Sequence, residues 1–209
     1  MTIFKKAGIT SFLTAACALV PLNLDVKAEE YKKGFYGFFG FGSGNYSDIL
    51  RTKTDAGNPS DYPHEYGLSY EGGVGYDFGK RFRMDLSYTK TTSPIETDLH
   101  AVFGSIMVNG YLDFPIKNSK WEPFLGVGFG SSNIDAENLC NSDPDDCTDD
   151  VFTFGVSGGV NYALNGNIDL TGKVTYLGFD TINITDNNVL RTVPDSNTLA
   201  AHAGIKFKF

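Results

Sequence analysis

The stretch LSYEGGVGYDFGKRFRMDLSYT, residues 68–89, contains two runs of alternating side chains on either side of the short turn Gly79-Lys80. Apolar residues occupy every second position, and polar residues or glycines lie between them. The apolar set is Leu68, Tyr70, Val74, Tyr76 and Phe78 in the first run and Phe82, Met84, Leu86 and Tyr88 in the second. Because successive side chains of a strand point to opposite faces, this period of two predicts a β-hairpin with one apolar and one polar face.

The same alternation recurs in six further segments. They begin near Phe35, Ile106, Trp121, Phe152, Ile168 and Leu199. No part of the chain after residue 28 carries the spacing of an amphipathic helix. We therefore expect an all-β fold with eight strands of about 9–11 residues each, the length that crosses a bilayer when the strand is tilted.

The connections between these strands also alternate in length. Short turns lie at Gly79-Lys80, 115–120 and 165–167, whereas long polar segments lie at 44–66, 90–98, 131–150 and 178–197. Short periplasmic turns opposite long extracellular loops are typical of bacterial outer-membrane barrels. The sequence thus predicts an eight-stranded antiparallel up-and-down transmembrane β-barrel in the outer membrane.

The charged face of the strands is predicted to line the barrel interior. We expect the following side chains inside: Glu71, Asp77, Arg83, Asp85, Lys173, His202 and Lys206, together with Asp113, Glu122, Asp169 and Lys208. The apolar face has almost no charge, as contact with lipid requires. The competing interpretation is a soluble lipocalin-like barrel with the faces exchanged, but it would crowd the large aromatic side chains into one cavity and expose the glycines.

The composition and the first residues of the chain indicate where the protein is located in the cell and which partners it lacks. The net charge of −8 and the pI of 4.8 argue against a nucleic-acid partner. Lys5 and Lys6 precede an apolar run, and Val26-Lys27-Ala28 offers a cleavage site, so residues 1–28 are predicted to be a cleaved secretory signal peptide and 29–209 the barrel. A membrane anchor is the alternative, although a proline and an asparagine interrupt the run. Lipidation at Cys17 is disfavoured by the spacing before it.

Cys140 and Cys147 are the two cysteines that remain after residue 28. In an exported chain such a pair predicts a disulfide, with free thiols or a metal site as the alternatives. The segment between Asp135 and Asp150 is also strongly acidic, and carboxylates are calcium ligands. Because the segment lacks the spacing of a known calcium loop, we expect a solvated surface loop without a metal.

Several motifs resemble the small outer-membrane barrel family that includes opacity-type surface proteins and the barrel of outer-membrane protein A. They are Gly34-Phe35-Tyr36-Gly37, Gly73-Val74-Gly75-Tyr76-Asp77-Phe78, the segment MVNGYLDF at 107–114 and the segment PFLGVGFG at 123–130. The last strand, with Ile205, Phe207 and Phe209 at two-residue steps, resembles the signal that the barrel-assembly machinery recognises. The resemblance implies outer-membrane lipid and lipopolysaccharide as surroundings, and by analogy surface ligands bound through the long loops.

Candidate chemistry is sparse. His64, His100 and His202 are the three histidines, and no His-x-Ser pairing accompanies them. A membrane-embedded hydrolase is therefore the weakest functional interpretation. We expect a non-enzymatic structural or surface-interaction protein without a cofactor. A narrow channel, formed if the interior charges rearrange, is the alternative.

Overall fold

The computed structural model describes residues 33–47, 66–79, 81–96, 99–137, 148–180, 182–186, 189–193 and 197–209. Ten strands run through these ranges. They are β1 (Gly34–Ser47), β2 (Gly67–Asp77), β3 (Phe82–Glu96), β4 (Leu99–Asp113), β5 (Trp121–Glu137), β6 (Thr148–Ala163), β7 (Ile168–Phe179), β8 (Ile182–Asp186), β9 (Val189–Val193) and β10 (Asn197–Lys208). No helix within the described ranges has the length and hydropathy that a membrane span needs.

Eight of the strands form a closed barrel. Each strand from β1 to β6 pairs antiparallel with the next, and β10 closes the circle by pairing with both β7 and β1. The predicted eight-stranded up-and-down barrel is therefore confirmed. The remaining strands, β8 and β9, form a separate two-stranded sheet within the connection between β7 and β10.

The strands are staggered around the barrel. The residue partners can be followed from strand to strand, starting at Tyr36 and passing Gly75, Asp85, Asn109, Gly128, Gly155, Leu177 and Thr198 before returning to β1 at Tyr46. The circuit is thus displaced by ten residues along β1. With the usual rise per residue and strand spacing, this stagger tilts the strands by about 40° from the barrel axis.

The apolar face of every barrel strand points outward. Val74, Val127 and Phe129 are 64%, 66% and 60% exposed. Aromatic side chains form a row near the short turns, where the rings of Phe35, Tyr76, Phe78 and Phe82 follow one another at centroid distances of 4.9 to 5.5 Å. This is the reverse of a soluble lipocalin-like barrel, which would enclose these rings.

Two features differ from the predicted strands. The barrel strands have 11 to 17 residues, and the longest are β3 to β6. Of these, β3, β5 and β6 extend into segments predicted to be loops, and β4 begins at Leu99, ahead of its predicted start near Ile106. The segment 178–197, predicted to be one polar loop, contains the β8–β9 hairpin. In both places the sequence lacks the sustained alternation of apolar and polar residues from which the spanning parts are predicted.

Candidate functional site: the polar barrel interior

Glycines make room for large side chains inside the barrel. The Tyr36 ring lies against Gly75, the Tyr111 ring against Gly126 and the Phe124 ring against Gly159. In each case the large side chain leans over the neighbouring strand, where a Cβ atom would collide with it. Eight strands leave a lumen that side chains alone can fill, and this alternation of large residue and glycine fills it.

The layer next to the short turns is ionic. Arg83 Nε lies 3.0 and 3.1 Å from the two carboxylate oxygens of Asp113. The Arg83 guanidinium also lies 4.0 Å from the centre of the Tyr111 ring. On the opposite wall, the ammonium groups of Lys206 and Lys208 lie 3.1 and 2.9 Å from Asp169 Oδ2. Buried charges of both signs therefore neutralise each other in pairs, as a low-dielectric interior requires.

The middle layer combines a buried ion pair with a hydrogen-bond chain centred on Asp85. Lys173 Nζ lies 2.6 Å from Glu71 Oε2, and both side chains are less than 10% exposed. Asp85 accepts hydrogen bonds from the Tyr36 hydroxyl at 3.0 Å and from Asn109 Nδ2 at 2.7 Å. Asn109 Nδ2 also lies 2.9 Å from the Ser87 hydroxyl. These contacts tie β1, β3 and β4 together across the lumen.

The layer towards the long segments is uncharged. The Ser132 hydroxyl lies 2.6 Å from the hydroxyls of both Ser105 and Thr153. Above these hydroxyls the interior becomes apolar, with Phe103 and Phe179 buried and their ring centres 6.4 Å apart. The interior thus changes from ionic to hydroxyl-lined to apolar along its axis.

Ser69 and His202 form the Ser–His contact that the sequence did not reveal. The Ser69 hydroxyl lies 2.8 Å from His202 Nε2, because both residues flank Gly42 on opposite sides and no side chain separates them. Ser69 is completely buried, and His202 Nδ1 has no hydrogen-bond partner in the described part of the chain. A hydrolytic triad needs an accessible nucleophile and a group that orients the histidine. The contact therefore has the character of interior packing.

A cavity of about 30 Å³ lies among the ionic and middle layers. Its lining includes Tyr36, Glu71, Arg83, Asp85 and Lys173. This volume suits one or two water molecules and is too small for an organic solute. Arg83 Nη2, which borders this region and has no hydrogen-bond partner among the described residues, is a natural donor to such a water.

The predicted interior residues can now be placed. Glu71, Arg83, Asp85, Lys173, His202 and Lys206 are buried on the enclosed face. Asp77 is different, because it lies at the rim, where its carboxylate accepts a hydrogen bond from the Gly79 amide at 2.8 Å. It stands opposite Arg83 in the strand register, yet Arg83 pairs with Asp113 instead.

The alternation places Tyr36 and Asn109 on the polar face but does not reveal that they carry the hydrogen-bond network. The partners depend on the stagger of the strands, which the sequence does not display.

Other predicted features lie outside the described residues. These are the signal peptide 1–28, His64, Cys140 and Cys147, and the side chain of His100. Most of the acidic segment between Asp135 and Asp150 also lies there. Within the described residues, no group of three or more His, Cys, Asp or Glu side chains is arranged to hold a metal ion.

Residues 12–207 match the family described as outer membrane protein beta-barrel domain. The chain belongs to this family. As an outer-membrane barrel protein it lies in the outer membrane of a bacterium, and the end with the short turns is the periplasmic end.

Curated relatives of this outer-membrane barrel occur in Brucella. Uncharacterized proteins of Brucella abortus, Brucella suis and Brucella melitensis are 26% identical to it over 167 residues. The match covers 63% of this chain and 58% of each relative, so the chain spans less than two thirds of the length of these relatives.

Among solved structures, Neisserial surface protein A is 20% identical with a TM-score of 0.65, over 85% of this chain and 99% of that one. The attachment invasion locus protein of Yersinia pestis is 12% identical with a TM-score of 0.51, over 85% of this chain and 100% of that one. Outer membrane protein OprG from Pseudomonas aeruginosa is 16% identical with a TM-score of 0.51, over 88% of this chain and 99% of that one. At these identities the likeness concerns the fold.

Proposed function

We propose that this barrel is a non-enzymatic surface-interaction protein whose filled interior serves as a rigid support for the long segments outside the cell. The observation that carries the proposal is the paired ionic interior, in which Lys173 meets Glu71 at 2.6 Å and Arg83 meets Asp113 at 3.0 Å. A lumen filled in this way leaves the outer segments as the parts available to a partner. The names of two structural neighbours, a surface protein and an attachment protein, agree with this role.

The charge of the outer segments indicates the kind of partner. The segments 44–66, 90–98, 131–150 and 178–197 together carry sixteen Asp or Glu and four Lys or Arg. Such a surface repels anions and attracts cations at long range. The proposed partner is therefore a positively charged polypeptide or surface of a host or of the environment. Lipopolysaccharide phosphates would contact these segments through divalent ions.

The test uses cells that display the chain and a soluble cationic polypeptide with a fluorescent label. We expect binding that falls when Asp143, Asp145, Asp146 and Asp149 are changed to Asn and when salt is raised above about 0.15 M, where charges are screened beyond about 8 Å. Changing Asn138, Asn141 and Ser142 to Gln, Gln and Thr is the control, since these changes leave the charge intact. Equal binding by cells without the chain would reject the proposal.

A narrow channel is the second candidate, because polar side chains line the lumen from Lys208 to Thr91. Conduction would require the Glu71–Lys173 pair to separate. In planar bilayers we expect the purified barrel to give no sustained current. If the Glu71–Lys173 pair is the barrier, a Glu71→Ala variant should conduct, because its side chain fills less of the lumen. Steady conductance of the unmodified barrel would favour the channel over the filled support.

A further inference from the structure

We propose that a patch of three cations beside two aromatic rings in contact, at the periplasmic end, binds the headgroup of an anionic phospholipid of the inner leaflet. The patch consists of Arg81, Lys117, Lys120, Trp121 and Tyr162, and is called the turn patch. It lies on the short turns between β2 and β3 and between β4 and β5, and on the neighbouring end of β6. It is separate from the outer segments that carry the proposed function.

The backbone places the three cations on adjoining turns. The Asp113 amide donates to the Arg81 carbonyl at 2.9 Å, which ties the first turn to the end of β4. In the second turn, the Ser119 amide donates to the Ile116 carbonyl at 3.1 Å. Lys117 and Lys120, both exposed, therefore project from one tight turn that adjoins Arg81.

The aromatic pair fixes the depth of the patch in the membrane. Trp121 and Tyr162 pack with ring centres 4.6 Å apart, and Lys120 Nζ lies 5.9 Å from the centre of the Tyr162 ring. Trp and Tyr concentrate at the level of the lipid headgroups. Ile116, which is 42% exposed, lies in the same turn and provides a contact for acyl chains. The three cations are therefore held at the height of lipid phosphates.

Within the described residues, no salt bridge neutralises the charge of the patch. Three carboxylates at this end of the barrel have other partners: Asp77 accepts from the Gly79 amide, Asp113 pairs with Arg83, and Glu122 accepts from Asn161. Among the described residues, no carboxylate forms a salt bridge with Arg81, Lys117 or Lys120. An anionic headgroup brings a net negative charge, whereas the amine of a zwitterionic lipid cancels its own phosphate. The patch therefore selects anionic lipids.

Trp121 is the single tryptophan of the chain, so its fluorescence reports directly on the turn patch. The refolded barrel is placed in phosphatidylcholine vesicles that contain increasing fractions of phosphatidylglycerol, and either lipid carries brominated acyl chains as the quencher. A cation near an anionic membrane surface contributes about 1 kcal/mol, which corresponds to about a fivefold preference. We expect the quenching of Trp121 to give a binding constant for phosphatidylglycerol relative to phosphatidylcholine of about five or more.

The variant Arg81→Gln/Lys117→Gln/Lys120→Gln should bring that constant to about one. The matched control is Lys33→Gln, which removes an exposed cation from the start of β1 and should leave the preference unchanged. Heat-modifiable gel mobility establishes that each variant is folded. Equal quenching by both lipids in the unmodified barrel, or a preference that survives in the triple variant, would overturn the proposal. Loss of the preference on adding soluble glycerol phosphate would also overturn it, because the ligand would then be a free anion.

Discussion

Glu71 and Lys173 meet inside the barrel although two other strands lie between their own. The register partner of Glu71 on β1 is Gly40, and the partner of Gly40 on β10 is Gly204, so no side chain lies between Glu71 and Lys173. The alternation of the sequence predicts that both residues face inward, but it does not reveal that they pair. The pairing depends on the ten-residue stagger, which results from all eight strand registers together and has no local sequence signal.

Breaking this pair from one side should be costly. Glu71→Gln leaves the Lys173 ammonium buried without its counter-ion, so the free energy of unfolding should fall by roughly 3–5 kcal/mol. The double variant Glu71→Leu/Lys173→Leu removes both charges and should unfold within about 1 kcal/mol of the unmodified barrel. Urea titration in lipid vesicles, with gel mobility as the readout of the folded fraction, measures the free energy of unfolding of both variants. A double variant as unstable as the single one would show that the ion pair itself carries the stability.

The glycines give a second prediction at the residue scale. Gly75→Ala places a methyl group against the Tyr36 ring and the Met84 carbonyl, and should destabilise the barrel by about 1–3 kcal/mol through overpacking. Gly172→Ala is the control, because it also changes a strand glycine but its added carbon would have no neighbour within 4 Å. The same urea titration compares them. Equal effects of the two substitutions would mean that strand propensity, and not the space inside the barrel, determines how a glycine substitution changes stability.

At the scale of the strands, the sequence predicts the spanning parts and fails at their outer ends. Val74, Tyr76 and Phe78 alternate with polar residues because one side meets lipid. The ends of β3 and β5, such as 89–96 and 131–137, consist mostly of polar residues, including the buried Thr91 and Ser132, so no apolar alternation marks them. The β8–β9 hairpin, in which Ile182 pairs with Val193, is missed because each of its strands has only five residues, too few for a sustained alternation.

The strand β2 allows a matched test of membrane depth. Val74 and Leu68 both point outward and are 64% and 68% exposed. Val74→Arg lies in the spanning part of β2 and should lower the free energy of unfolding by about 2–4 kcal/mol. Leu68→Arg at the outer end should lower it by at most about 1 kcal/mol. Urea titration in vesicles distinguishes the two. A similar small cost at both positions would contradict the assignment of this face to lipid.

We propose that Ile205, Phe207 and Phe209 of the last strand form an assembly signal. Phe209 is 84% exposed, so replacing it with Ala removes little packing within the barrel. We expect Phe209→Ala to reduce the folded fraction in outer membranes of growing cells several-fold and to leave refolding of the purified chain into detergent unchanged. Leu199→Ala, on the same face of β10, is the control for a lost outward side chain. Equal losses in cells and in detergent would indicate a general packing defect.

At the scale of the whole molecule, the barrel closes by pairing its first strand with its last. Closure therefore requires every strand to be present, and the folded barrel should migrate faster than the boiled chain on a gel.

We also propose that the exported form begins at Glu29 and carries a Cys140–Cys147 bridge. The intact mass of protein from outer membranes should match residues 29–209 less two hydrogens, and thiol reagents should label it only after reduction. A mass that includes residues 1–28 would contradict the predicted cleavage.

The apolar end of the interior, where Phe103 and Phe179 lie together above the hydroxyl layer, has a consequence for the cell that carries this protein. Under the proposed function, in which the lumen does not conduct, an envelope crowded with this barrel would gain outward display area and lose none of its resistance to bile salts, dyes or small antibiotics. Abundance is then limited by the area of the membrane and the supply of chains. A cell can coat itself with such a protein and stay sealed.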